Sequence, residues 1–306
     1  MQIRTEFTKE ELEKYPELSN EDNIFVLNYI LRRIENGKNS IILTVGVTGS
    51  GKSWVNLRIA ELLCVMQGIK FDTANRVFFT LKTLLTYTNK QDVKPGDVSI
   101  SEELGVSMGS RQWQRNVDYS QLLQTYRDLG LISFLNVPFK VMIDKHARLL
   151  AHFQIEMLSR EGNQNVIKFF ILQHNPSASS EAKTTYRKYL RVTKKNEWGF
   201  RKVKPIKKVY LEKPSQDVLD VYLPMQTEFK AGIRKRLESK AIKEEKIMEK
   251  EPVRKHKEDI ETAEKLFKQG LDVNRVAEIM HRTPRCIRNY RKEIEMEEKR
   301  KEKVSI

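Results

Sequence analysis

Ser40-Ile41-Ile42-Leu43-Thr44-Val45-Gly46-Val47-Thr48-Gly49-Ser50-Gly51-Lys52-Ser53 is the stretch that decides the fold. Its first half is apolar, rich in β-branched residues, too short for a helix and closed by glycine, which reads as a buried parallel strand. From Gly51 to Gln67 the apolar residues return at helical spacing, and Gly68 ends that segment as a C-cap. Between strand and helix, residues 46–53 match GxxxxGK[ST]. Glycines at 46, 49 and 51 let the backbone wrap closely, so that successive amide N–H groups and the helix N-terminus face an anion. The pattern is a phosphate cradle for a nucleoside triphosphate, and it implies ATP and Mg²⁺ as cofactors. Lys52 is expected to reach the β- and γ-phosphates and Ser53 to hold the metal. The nucleotide-binding stretch is read as Gly46, Val47, Thr48, Gly49, Ser50, Gly51, Lys52, Ser53 and Trp54.

Outward from the cradle, short strand-like runs at Arg76–Thr80, Val98–Ser101 and Leu131–Val137 alternate with helical patterns at Leu81–Tyr87 and Asp118–Leu129. Such alternation predicts an α/β fold with a mainly parallel sheet covered on both faces. An amphipathic helix is predicted over Ile24–Ile34, after a polar segment at residues 1–23. Past Pro138 come a helical turn near Asp144–Arg148 and strands at Leu149–Met157 and Val166–Gln173. A polar, basic loop with a little strand then covers 174–208, followed by a strand at Lys208–Leu211 and a helix from Gln216.

Hydrolysis needs one carboxylate near the metal and another to activate water, ordinarily at the C-terminal end of a neighbouring buried strand. Val98-Ser99-Ile100-Ser101-Glu102-Glu103 fits, with Glu102 assigned to Mg²⁺ together with Ser53, and Glu103 to the attacking water. The competing reading has both acids starting a solvated loop or helix. Asn136, at the end of the next strand, is placed to sense the γ-phosphate, or is a simple turn residue. Arg111 and Arg148 are the candidates for an arginine acting in trans on a neighbouring subunit; Arg111 equally suits a contact to DNA or a local ion pair.

The chain has 306 residues, 56 Lys+Arg against 41 Asp+Glu, and a formal charge of +15. Residues 182–306 hold 35 of the basic and 21 of the acidic side chains, so nearly all the excess is there, and a polyanion such as nucleic acid is the natural partner. Mean hydropathy is −0.57, and no apolar run approaches the roughly 18–20 residues a bilayer crossing needs. Met1–Tyr15 is charged rather than signal-like, and Cys64 and Cys286 lie too far apart in sequence to suggest a disulfide framework or zinc site. A cytoplasmic protein without a membrane segment is expected.

Five regions follow from these patterns: a polar segment at 1–23, a core at 24–230, a charged helical linker at 231–259, a small all-α unit at 260–295 and a charged tail at 296–306. The small unit reads as helices Ile260–Gln269, Val273–Met280 and Pro284–Ile294, with Thr283-Pro284 as N-cap and first helical residue. Ala263, Leu266, Val276, Ala277, Ile279, Ile287 and Tyr290 are its expected core. Residues 270–280 resemble the first half of a helix-turn-helix, whose third helix would offer Arg282, Arg285, Arg288, Asn289, Arg291 and Lys292 to DNA.

Taken together, the cradle at 46–53, the acidic pair at 102–103, Ser110-Arg111, Leu122–Arg127, Asn136-Val137-Pro138 and Ile143–Arg148 resemble the HerA/FtsK superfamily of RecA-fold ATPases, nearest its archaeal virus and plasmid branch of Zot-like or packaging type. Pro214-Ser215 with Tyr222 and Lys230 resembles that branch's tail pattern. The resemblance implies a RecA-like P-loop core, a ring of subunits, a hexamer, and ATP-driven pumping of double-stranded DNA, with virion or other mobile-element proteins as further partners. Glu102 would match the metal-binding acid and Glu103 the catalytic one, while Asn136 stands where many members carry a sensor glutamine. Two other readings stay open: an ATP-dependent DNA-binding switch for partition, replication initiation or transcription, and a virion-export ATPase.

Overall fold

A computed structural model describes residues 3–90, 92–102, 113–143, 145–161, 163–175, 177, 185–195 and 201–304. The chain divides into two compact units, residues 1–227 and 228–306.

The first unit is built on strand β1 (Ser40–Val45), which pairs in parallel with β4 (Ile132–Val137) on one side and β5 (Phe153–Glu161) on the other. Beyond β4 lie β3 (Val98–Ser101) and β2 (Val77–Phe78), also parallel, giving the order β5-β1-β4-β3-β2. Outside β5 the sheet turns antiparallel with β6 (Gln164–His174), which carries β7 (Thr185–Tyr189) and β10 (Val209–Leu211). This is the α/β, mainly parallel sheet of a RecA-like P-loop core. A separate ribbon is formed by β8 (Arg191–Lys195) and β9 (Arg201–Pro205).

Both faces of the parallel strands are buried: along β1 the successive residues Ile41, Ile42 and Leu43 alternate between them, and Ser40 and Thr44 are buried as well. On one face Ile42, Ile100, Phe134 and Phe153 pack under α2 (Glu21–Glu35) and α3 (Lys52–Met66). On the other, Ile41, Leu43, Leu135 and Val137 join residues of α5 (Leu81–Thr88), α6 (Trp113–Leu129) and α7 (Lys145–Leu150). The polarity of β3 is resolved inside the sheet: Ser99 and its register partner Ser133 on β4 share a hydrogen bond of 2.6 Å. A short helix α1 (Lys9–Lys14) starts the chain, and α4 (Thr73–Arg76) precedes β2.

The polar segment expected at 1–23 belongs to this core. Glu17 pairs through both carboxylate oxygens with Arg58 of α3, at 2.7 Å each, and Leu18 beside it is buried. Arg58 is only 2% exposed and also lies 4.9 Å from the ring centroid of Tyr15. Glu61, one turn on, accepts from the backbone N–H and the hydroxyl of Ser215. Hidden in a helix that looks simply apolar, Arg58 and Glu61 thus tie α3 to both ends of the core.

The region expected as a basic loop at 174–208 contains three strands, β7, β8 and β9. Its apolar residues are too few to mark them by burial, and pairing alone reveals them.

Residues expected as a linker and as a separate first helix of the small unit lie instead in one helix, α8 (Gln216–Lys268), which runs through Pro252. In its second half, residues 243–268, 16 of 26 residues are Lys, Glu, Arg or Ala, strong helix formers that also pair along the surface, as Lys268 does with Glu264 at 2.6 Å. The second unit continues with α9 (Val273–Ile279), capped by the Asp272 carboxylate, and α10 (Pro284–Val304), which runs beyond the expected end at Ile294. Ala263, Val276, Ala277, Ile287, Tyr290 and Ile294 form its core. Ile279, expected there, is exposed because it ends α9 on the helix's outer side.

Two consequences are measurable. Replacing Arg58 by Ala leaves Glu17 and Glu61 buried without their cation, and should cost about 3–5 kcal/mol in chemical denaturation. His152 accepts a hydrogen bond at Nδ1 from the Ile41 N–H at 3.1 Å, and burial, followed by the charge of Arg33, pushes its pKa down to about 3. Its neutral form is therefore native: the stabilisation is complete above the unfolded value near 6.5 and is lost as pH falls from there toward 3, by on the order of 1.4 kcal/mol per pH unit. His152→Asn, which keeps an acceptor without titrating, should flatten that dependence in urea melts between pH 7 and 4.

Candidate nucleotide site

The loop between β1 and α3 leaves the sheet edge where a buried strand must hand over to a buried helix. Gly49 and Gly51 take left-handed backbone, φ +83° and +89°, a region costly for any residue with a Cβ. Gly51 is also the N-cap of α3, and no side chain caps that helix end. Its first-turn amides and helix dipole therefore face the loop, the arrangement that binds phosphate. Lys52 lies over the loop, its Nζ donating to the carbonyls of Gly46 at 2.6 Å and Val47 at 2.9 Å.

Below the loop the C-terminal ends of three strands meet. Thr44 of β1 is the register partner of Asn136 on β4, and Ser101 of β3 pairs with Leu135, so Glu102 and Asn136 are carried to the same level. Ser53 Oγ donates to Glu102 Oε2 at 2.9 Å. The Asn136 amide Nδ2 lies 2.9 Å from the same carboxylate oxygen and 3.1 Å from the Ser53 hydroxyl. Glu102 is 2% exposed, and Asn136 Oδ1 is buried without a hydrogen-bond partner among the described residues. Hydroxyl, carboxylate and amide oxygens gathered at the foot of a phosphate loop are the hard-oxygen set that suits Mg²⁺, and the residues fit that ion. Thr44 holds α3 in place from behind, its hydroxyl 2.6 Å from Asn56 Oδ1.

The structure therefore brings Gly46–Ser53, Glu102 and Asn136 into one site and removes the reading of Glu102 as the start of a solvated loop. Glu103 and Arg111 lie outside the described residues. Arg148, on α7, lines a small cavity with Leu43, Lys140 and Leu172 rather than the cluster around Ser53. Trp54 follows Ser53 into the helix, and its indole is flanked by the Arg160 guanidinium at 5.2 Å and the Lys213 ammonium at 5.9 Å.

Sequence reasoning missed the wall behind the loop. A Cβ on Gly46 would come within 2.8 Å of Met157 Cγ on β5, and one on Gly51 within 2.9 Å of Asn165 Oδ1 on β6. Asn165 is 1% exposed and its Nδ2 has no hydrogen-bond partner among the described residues. Both residues lie more than a hundred positions from the loop, and nothing in the local pattern around them signals the contact.

In the second unit Arg282, Arg285, Arg288, Asn289, Arg291 and Lys292 are all exposed. Arg285, Asn289 and Lys292 share one face of α10 at spacings of four and three. Arg282 precedes the helix and pairs with Asp259 at 2.7 Å, because Pro284 starts α10 two residues later. Arg288 donates from Nε to the Pro284 carbonyl at 3.3 Å, and Arg291 lies 3.4 Å from Glu295.

No protein-family model and no curated protein sequence matches the chain. Among solved structures it is similar to the N-terminal domain of zonular occludens toxin from Neisseria meningitidis, at 18% identity over 50% of this chain and 95% of that one, with a TM-score of 0.32. The fold assignment rests on the strand order and loop described above. Among the described residues no helix is long and apolar enough to cross a membrane.

Gly51→Ala should weaken nucleotide binding at least tenfold, since both the positive φ and the Asn165 contact oppose a methyl group there. Titration with a fluorescent ATP analogue measures it, and a circular-dichroism spectrum like the wild type's shows that the fold persists.

Proposed function

We propose that this chain is a Mg²⁺-dependent ATPase that works as a ring on double-stranded DNA, translocating or packaging the DNA of a virus or plasmid. The observation that carries the reading is the hydrogen-bonded set of Ser53, Glu102 and Asn136 at the foot of the 46–53 loop. In it the loop amides and Lys52 hold the β- and γ-phosphates, with Lys52 exchanging the carbonyls of Gly46 and Val47 for phosphate oxygens. Ser53 and Glu102 hold the metal, which when bound neutralises charge on the transferring phosphoryl group. Glu103, the next residue, orients the attacking water. Asn136, already bonded to both metal-site residues, is the group positioned to register whether the γ-phosphate is present.

Support for DNA as the partner comes from the charge distribution and from the compact helical unit with a basic face on α10. Ring assembly and virion or mobile-element partners rest on the family resemblance. Arg111 and Arg148 remain the candidates for a trans-acting arginine. A switch that only binds DNA is distinguished by the same experiment.

Steady-state ATP hydrolysis measured with and without linear duplex DNA, with the particle sized by light scattering, tests the proposal. A several-fold stimulation by DNA in a ring-sized particle is expected; hydrolysis indifferent to DNA by a monomer or dimer would replace the motor by the switch. Lys52→Ala should abolish turnover, and Glu103→Gln should stop it while ATP still binds. If Lys52→Ala retains turnover, the site assignment is wrong.

A further inference from the structure

The ribbon β8–β9 has a composition that its own fold does not account for. Residues 185–208 contain ten Lys or Arg and one Glu. At its root the ribbon is anchored: Leu190 and Ile206 are buried, the Ile206 N–H donates to the Leu190 carbonyl at 2.8 Å, and Val192 packs against the core. Farther out that support ends. Val203 is 55% exposed, and among the described residues the ribbon pairs with no other strand. An isolated two-stranded ribbon is at best marginally stable in water.

Its register adds to the difficulty. Lys194 stands opposite Lys202, and Lys195 opposite Arg201. Like charges at directly opposed positions destabilise a pair of strands. Nearer the root Lys188, Arg191, Lys204 and Lys207 are exposed, and among the described residues none of these four is paired with a carboxylate. Packing and strand pairing would both be better served by Thr or Val at these places. A polyanion laid along the ribbon removes the repulsion and supplies the missing stabilisation.

We propose that the β8–β9 ribbon is a second nucleic-acid-binding element, one that grips the phosphate backbone of duplex DNA independently of the α10 face. A two-stranded antiparallel ribbon is narrow enough to follow a groove of the duplex, and its cations would meet phosphates at the groove edges, fixing register without reading sequence. An anionic membrane would meet the same cations, and the vesicle arm of the test separates it from duplex. The proposal deepens the DNA reading above and does not depend on hydrolysis.

The test uses the full chain and a fluorescent 30-base-pair duplex of random sequence, titrated at several salt concentrations. Three proteins are compared: wild type, a ribbon variant with Lys194, Lys195, Arg201 and Lys202 all changed to Gln, and an α10 variant with Arg285→Gln and Lys292→Gln. Loss of up to four phosphate contacts should lower the slope of log K against log salt by about 3–4 and weaken binding at least tenfold near 0.1 M salt. The ribbon variant should hydrolyse ATP at the basal wild-type rate and keep the wild-type circular-dichroism spectrum. Lysine acetylation of the wild type gives a measurement free of substitutions: duplex should protect Lys194, Lys195, Lys202 and Lys204. Unchanged affinity and slope in the ribbon variant, or no protection, overturns the proposal while leaving DNA binding through α10 intact. A wild type that binds no duplex overturns both, and one that binds vesicles containing 30% anionic lipid but not duplex assigns the ribbon to a membrane surface.

Discussion

The turn at Gly49–Gly51 is the constraint on which the rest of the site depends. A strand buried on both faces must become a helix buried nearly all round, and the backbone reverses between them only through left-handed residues. That reversal leaves the α3 N-terminus without a side-chain cap and open to the loop, so the same geometry that allows the fold creates an anion site. Met157 and Asn165 close against the loop from β5 and β6, which makes any side chain at Gly46 or Gly51 compete with the core. Folding and phosphate binding are therefore set by the same few backbone torsions.

Holding α3 in that position is the work of polar groups inside the core. Thr44 fixes Asn56, and Glu17, Arg58, Glu61 and Ser215 form a chain of contacts from the first residues of the core to the start of α8. Buried charges of this kind are costly unless each is matched, and here the guanidinium has two carboxylates within 3.6 Å and a tyrosine ring beside it. Such a network adds little net stability over an apolar core, but it penalises every other placement of the helix that carries Lys52 and Ser53. The same logic applies at Ser99 and Ser133, where two hydroxyls satisfy each other across parallel strands and set their register.

Much of this was legible in the chain. The strand Ser40–Val45 and the helix after it fall within a residue or two of their expected limits, because a β-branched run followed by glycine and helical spacing leaves one reading. Glu102 was marked by its place at the end of a short strand. The long helix Gln216–Lys268 was harder to read, since a solvated helix of Lys and Glu has the composition of a linker and shows no apolar stripe. Strands β7 to β9 were hidden for a related reason: their pattern is set by cations, and period-two burial, the usual mark of a strand, is weak there.

By itself the sequence determined the kind of fold, the phosphate loop, the acid that faces Ser53 and the concentration of positive charge toward the C-terminal end. These are local properties, written in spacing, turn residues and composition. Only the tertiary structure decided that β4 runs between β1 and β3, which places Asn136 within hydrogen-bond reach of both Ser53 and Glu102. It alone set Asn165 against Gly51, and the lysines of the ribbon opposite one another. Strand order and register arise from pairing between segments far apart in the chain, and no local periodicity carries that information.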